Sequence, residues 1–156
     1  MFTEQLTQAL SVADVLNQQS VNNASVASVG IDMQKFHRVL FVVQAASLGA
    51  AGTLDGRLQS CTQSNFASAV HNIANTNLTQ INTSTTPGNN AVATLEIRAD
   101  QVEQANSGDR YLRLQLTGGG NAITVGALGL GAEANHKPGN AQDVSNTYLS
   151  QRVVAP

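Results

Sequence analysis

The stretch RYLRLQLTGGGNAITVGALGLGAEA, Arg110 to Ala134, decides how the chain is read. Its first half alternates, with Leu112, Leu114 and Leu116 on one side and Tyr111, Arg113, Gln115 and Thr117 on the other. A period of two belongs to a strand with one buried face. From Ala122 to Leu130 a second strand follows, with Ile123, Val125 and Ala127 on one face. Between them lies Gly118 to Asn121, a loop of hairpin length made of residues that accept positive φ at least cost. The two strands are therefore expected to form a hairpin. The last six residues, Gly129-Leu130-Gly131-Ala132-Glu133-Ala134, also fit the G-x-G-x-x-G/A spacing of a dinucleotide-binding turn. That use requires a helix immediately afterwards, whose N-terminus holds the pyrophosphate. The chain instead continues Asn135-His136-Lys137-Pro138-Gly139, which stops a helix within a turn. The triple glycine lacks the Gly-Lys-Ser/Thr of a phosphate-binding loop. Glycine here is read as structural, with Gly126, Gly129 and Gly131 marking bulges or places where another backbone comes close.

Outward from this stretch, the same short-strand pattern recurs. Arg38 to Ala46, RVLFVVQAA, is apolar on both faces and reads as a central strand. Thr53 to Thr62 alternates, with Leu54, Gly56 and Leu58 on one face, and Gly49 and Gly52 before it mark a hairpin connection. Ala91 to Ala99 places Ala91, Ala93, Leu95 and Ile97 on one face. Asp100 to Asn106 fits a single helical turn, with Asp100 as N-cap, Glu103 three residues on and Ser107-Gly108-Asp109 closing it. Ser64 to Asn90 is expected to hold one or two short strands before the Pro87-Gly88-Asn89-Asn90 turn. At the N-terminus Phe2, Leu6, Leu10, Ala13 and Leu16 recur at spacings of three and four, the stripe of a short helix or an arm with apolar anchors. Residues 131–156 lose all periodicity and read as an extended tail. Short strands with turn signals and almost no helix predict an all-β antiparallel sandwich, jelly-roll-like, over 25–131. An N-terminal arm or short helix over 1–24 and an extended C-terminal arm over 132–156 flank it.

The chemistry carried by these residues is sparse. Charged residues make up 12% of the 156, against a usual share of about 25%, so Asn, Gln, Ser and Thr must supply the polar surface. Such a surface suits a protein covered by neighbours. The net charge of −2 and the absence of a Lys/Arg cluster argue against a nucleic-acid partner. No run of 18 apolar residues points to a membrane, and the N-terminus lacks the pattern of a signal peptide, so synthesis in the cytoplasm is expected. One cysteine, Cys61, permits no intrachain disulfide and no cysteine-based zinc site. No two of His37, His71 and His136 stand at i, i+4, and no serine nucleophile elbow occurs. Asp55/Arg57 and Glu96/Arg98 read as cross-strand charge partners, not as an acid/base pair. No catalytic residue, cofactor, metal or small-molecule substrate is expected. The candidate site is a partner interface on the two arms, made by Phe2, Leu6 and Leu10 at one end and by Tyr148, Leu149, Val153 and Val154 at the other.

Four stretches carry a resemblance. GIDMQKFHRVLFVV (Gly30 to Val43), GTLDGRLQSCT (Gly52 to Thr62), LEIRADQVEQANSGDRYLRLQLT (Leu95 to Thr117) and VGALGLGAEANHKP (Val125 to Pro138) resemble small β-sandwich structural proteins of tailed double-stranded DNA bacteriophages. The resemblance covers roughly Gly30 to Pro138, and the N-terminal segment and the tail beyond depart from it. It implies a non-enzymatic virion component, first of all a capsid cement or decoration protein on the outer capsid surface, a homotrimer bound to the major capsid protein. A tail, fibre-base or head–tail junction protein is the alternative in the same particle. A carbohydrate-binding sandwich module is a further one, disfavoured by the lack of Trp and the presence of only two Tyr.

Overall fold

Leu112, Leu114 and Leu116 are fully buried, as their alternation requires, and the strand that carries them is the centre of one of two sheets. The structure, a computed structural model, describes residues 9–84 and 88–134. In chain order these form β1 (Leu10–Val21), β2 (Ala24–Ala27), β3 (Ile31–Asp32), β4 (Phe36–Leu48), β5 (Thr53–Cys61), β6 (His71–Asn72), β7 (Ile81–Asn82), β8 (Ala91–Arg98), α1 (Ala99–Ala105), β9 (Tyr111–Gly119) and β10 (Ile123–Ala134). One sheet has the order β1-β10-β4-β8. The other runs β2-β9-β5-β6, with β3 further along the β2 edge of β9 and β7 further along the β6 edge of β5. Every pairing among the described residues is antiparallel. With β2–β3 and β6–β7 each counted as one broken strand, each sheet has four positions and the chain passes back and forth between them. That is a jelly roll, and the expected all-β sandwich is the architecture found. Phe36, Val39, Phe41, Val43, Ile123 and Val125 of the first sheet meet Leu54, Leu58, Leu112, Leu114 and Leu116 of the second, all of them nearly inaccessible to solvent.

Two expected hairpins are instead corners between sheets. β9 and β10 do not pair with each other, and neither do β4 and β5. β9 pairs along its whole length with β5, while β10 pairs with β4 and β1. A strand with one apolar face can lie beside its neighbour in sequence or opposite it across the core. Alternation is the same in both cases, so periodicity does not separate them. The corners at 49–52 and 120–122 support each other: the Gly49 N–H donates to the Ala122 carbonyl at 3.0 Å, and the Asn121 amide reaches the Ala50 carbonyl. Asn23, at the β1–β2 corner, brackets Gly120 with its amide, accepting from the Gly120 N–H at 3.0 Å and donating to the Gly120 carbonyl at 3.1 Å. Gly120 has φ +75°, and a Cβ there would fall on the Ala51 carbonyl oxygen, so only glycine fits this corner.

The N-terminal stripe is also corrected. Leu10 to Val21 is a twelve-residue strand, outermost in the first sheet among the described residues, within the segment expected to be an arm or short helix. Its register against β10 slips at Ala13 and again at Asn17–Gln18. Each slip is a bulge that advances the pattern beyond a strict period of two. The bulge at Ala13 turns Leu10 and Val12 outward while Ala13, Asp14 and Leu16 face inward, which imitates helical spacing. β10 likewise continues to Ala134, beyond the expected end of the sandwich at 131.

The helix begins one residue before the expected cap. Arg98 precedes it, and the Arg98 backbone N–H donates to Gln101 Oε1 at 3.0 Å. Asp100 lies in the first turn and pairs with Arg98 at 2.9 Å. The phase is set by Val102, which is fully buried and leaves Asp100 and Glu103 in solvent. Two short strands, β6 and β7, fall in the 64–90 region as expected. Among the described residues no helix is long and apolar enough to cross a membrane.

Candidate functional site

The described chain begins and ends at one end of the sandwich. Leu10 pairs with Ala132, and Ala134 pairs with Phe36 at the start of β4. Of the seven expected interface residues, Leu10 is described: half-buried, outward-facing, at the corner where both described ends meet. Phe2, Leu6, Tyr148, Leu149, Val153 and Val154 lie outside the described residues.

The two outer faces of the sandwich differ in chemistry, which alternation alone partly conceals. On the second sheet the outward residues are polar and hydrogen-bonded across strands. Ser25 and Thr117 hydroxyls lie 2.8 Å apart, Arg57 Nε donates to Gln115 Oε1 at 3.0 Å, and Arg113 Nε donates to Gln59 Oε1 at 3.0 Å. Gln59 in turn donates to Asn72 Oδ1 at 2.9 Å. A shallow groove of about 350 Å³ crosses this face, lined by Asp55, Arg57, Asn77, Leu78, Gln115 and Thr117 with Gly56. The Asp55 carboxylate is already held by the Gln80 amide at 3.1 Å. No lining residue is aromatic, so the groove offers no stacking platform for a sugar ring.

On the first sheet the outward residues of β1, β10 and the middle of β4 are aliphatic, while β8 turns Thr94, Glu96 and Arg98 outward. Val12, Leu130 and Leu40 stand in one row across three strands, and Val15, Leu128 and Val42 in the next. All six are half-buried. Beside them Arg38 lies 3.3 Å from Glu133 and 3.9 Å from Glu96. Glu96 thus finds a cross-strand charge partner, though Arg38 and not Arg98.

A third cluster was not legible in the sequence. Ser60 Oγ donates to Asp109 Oδ2 at 2.6 Å, and His71 Nδ1 lies 2.8 Å from the same oxygen. Asn106 Nδ2 donates to Ser60 Oγ at 3.3 Å. Serine, histidine and aspartate are the members of a hydrolytic triad, but the order is wrong. In a triad the imidazole stands between hydroxyl and carboxylate and takes the hydroxyl proton. Here the carboxylate stands in the middle and Ser60 is fully buried. The arrangement ties the end of β5, the start of β6 and the exit of α1 together. His71 and Asp109 are 38 residues apart, and neither belongs to a local motif. Among the described residues no group of three or more His, Cys, Asp or Glu is placed to hold a metal ion.

Nearby, Arg110 grips Asp32 with Nε at 2.8 Å and a second nitrogen at 2.5 Å. The hydrogen bond from the Arg110 guanidinium, opposed by burial, holds the Asp32 carboxyl below the ordinary carboxylate range. This pair joins β3 to the start of β9.

The G-x-G-x-x-A spacing lies inside β10, hydrogen-bonded on both sides. A Cβ on Gly131 would stand 2.5–2.6 Å from the Phe36 ring, and one on Gly129 would stand 3.0 Å from Phe41 and Asp14. These glycines make room mainly for side chains of neighbouring strands, where a second backbone was expected. At Gly126 it is the Gln18 backbone that comes near, at 3.3 Å.

No protein-family model matches the chain. No curated protein matches it. Among solved structures, a chain from infectious bursal disease virus, Gt strain, overlaps at a TM-score of 0.47 with 13% identity, over 83% of this chain and 33% of that one. A chain from the Gx strain of the same virus overlaps at 0.38 with 11% identity, over 83% and 32%. The chain thus spans about a third of the length of either.

Proposed function

We propose that the chain is a non-enzymatic structural protein of a virus particle, and within that class a capsid cement or decoration protein of a tailed double-stranded DNA bacteriophage. In this reading it forms a homotrimer on the outer surface of the shell, bound to the major capsid protein. The observation that carries the proposal is the strand order, β1-β10-β4-β8 over β2/β3-β9-β5-β6/β7, an arrangement that recurs in viral capsid domains. The same fold also serves lectins and cupins, so the choice among its uses rests on the surface chemistry. The groove without an aromatic wall argues against a sugar-binding module. The carboxylate-centred Ser60–Asp109–His71 cluster argues against hydrolysis. The low charge and the resemblance of residues 30–138 to phage sandwich proteins favour a surface that works by being covered.

Both described ends of the chain leave from one end of the sandwich, and in this reading the contacts to the shell come from Phe2, Leu6 and Leu10 and from Tyr148, Leu149, Val153 and Val154. Quantitative mass spectrometry of purified particles tests the proposal. Hundreds of copies per particle are expected for a cement protein. Six or twelve copies would move the chain to the tail or the head–tail junction. Absence from purified particles would overturn the proposal altogether.

A further inference from the structure

β4 is apolar on both faces, the pattern of a strand covered on both sides. The opposing sheet covers only one of them. The other carries Leu40 and Val42 into the two aliphatic rows completed by Val12, Leu130, Val15 and Leu128. At the margin of the same face Val92, opposite Gln44, is 60% exposed. Water-facing strands of an antiparallel sheet ordinarily alternate to polar residues on that side, as β9 and β5 do on the opposite face.

We infer that the outer face of the β1-β10-β4-β8 sheet is a contact surface for a second copy of this chain. The inference rests on the reading of the protein as a self-associating shell component and names the surface through which copies meet. Area supports it first. The four strands are 8 to 13 residues long. At strand spacings of about 4.8 Å they present roughly 500–800 Å², close to the ~800 Å² per partner of a stable interface. Charge supports it second. The centre of the face is uncharged, as interface centres tend to be. The rim carries both signs, with Arg38 lying between Glu96 and Glu133. These three charges pair with one another within the chain, so the rim suits a second copy whose own rim is paired in the same way. A uniformly acidic or basic partner would meet like charge on this rim.

Light scattering on the full-length chain across a concentration series tests the inference. The wild-type chain is expected to form an oligomer that dissociates on dilution. Leu128→Glu points away from the core and places a charge in the middle of the face. It is expected to give a monomer with unchanged circular dichroism. Gln63→Glu, exposed just beyond β5 of the opposite sheet, is expected to keep the oligomer. A second readout uses the fact that the single native cysteine, Cys61, is fully buried. In a Leu128→Cys variant the new thiol should be protected from maleimide in concentrated solution and labelled on dilution. A wild-type monomer at every concentration, or a Leu128→Glu oligomer of unchanged mass, would overturn the inference. So would a Leu128→Cys thiol that stays protected in a monomer, because another segment of the same chain would then occupy the face. The two proposals fail separately. An unaffected Leu128→Glu oligomer with high copy number in particles removes only the contact surface. A disrupted oligomer with no protein in particles removes only the virion role.

Discussion

At Gly131 an added methyl group would stand 2.5–2.6 Å from the Phe36 ring, and Phe36 is 1% exposed within the packed core. The ring has nowhere to retreat. Gly131→Ala is therefore expected to lower stability by about 1–3 kcal/mol, the usual range for overpacking a core, seen as a lower urea midpoint with unchanged slope. The same position was half legible in the sequence. A lack of following helix ruled out a cofactor turn, but nothing local named Phe36, 95 residues away, as the reason for glycine. Asp32 gives a second residue-scale expectation. Its carboxyl is held below its ordinary value by Arg110, so the charged form is favoured in the folded state. The pair's stabilisation is present above the unfolded carboxylate value near 4 and is lost as pH falls through the lower folded value. Asp32→Asn should remove that part of the acid sensitivity: its unfolding midpoint would change less than wild type between neutral pH and about pH 3. Equal acid sensitivity in both proteins would show that the pair contributes nothing.

Among the elements, β1 shows most plainly what periodicity can and cannot carry. Its apolar residues were legible, but two bulges shifted their spacing from two towards three and four, and a bulge is recognised only against the partner strand. β9 was read correctly because it keeps an unbroken alternation over the full strand, and β5 because it alternates from Thr53 to Leu58. The helix was placed within a residue or two, and its phase was decided by the burial of Val102, not by the acidic cap candidate. The cluster of Ser60, His71, Asp109 and Asn106 belongs at this scale, because it fastens β5, β6 and the α1 exit to one another. Asp109→Ala removes the shared acceptor and leaves the fully buried Ser60 hydroxyl without it, at an expected cost of about 1–3 kcal/mol. Amide exchange should rise first at 71–72 and 108–110 while the β9–β5 ladder stays protected. A uniform rise across the molecule would contradict a local fastening role.

For the whole molecule, the contrast between a polar outer face and a largely aliphatic one is the feature on which the proposed contact between copies rests. If the aliphatic face and the two chain ends are both contact regions, particle copy number and the oligomeric state of Leu128→Glu together separate what binds the shell from what binds another copy. By itself the sequence determined the fold class of the protein: short alternating strands, glycine-rich turns and one helical turn. Those properties are local, since each strand carries its own alternation and each turn its own backbone demand. Only the tertiary structure decided which strands are neighbours. It turned two apparent hairpins into corners between sheets, placed β1 beside β10, gathered Ser60, His71 and Asp109, and left the second apolar side of β4 facing outward. The physical reason is that pairing is chosen by register and burial between residues tens of positions apart, where several partners satisfy the same alternation and only the closed core selects one.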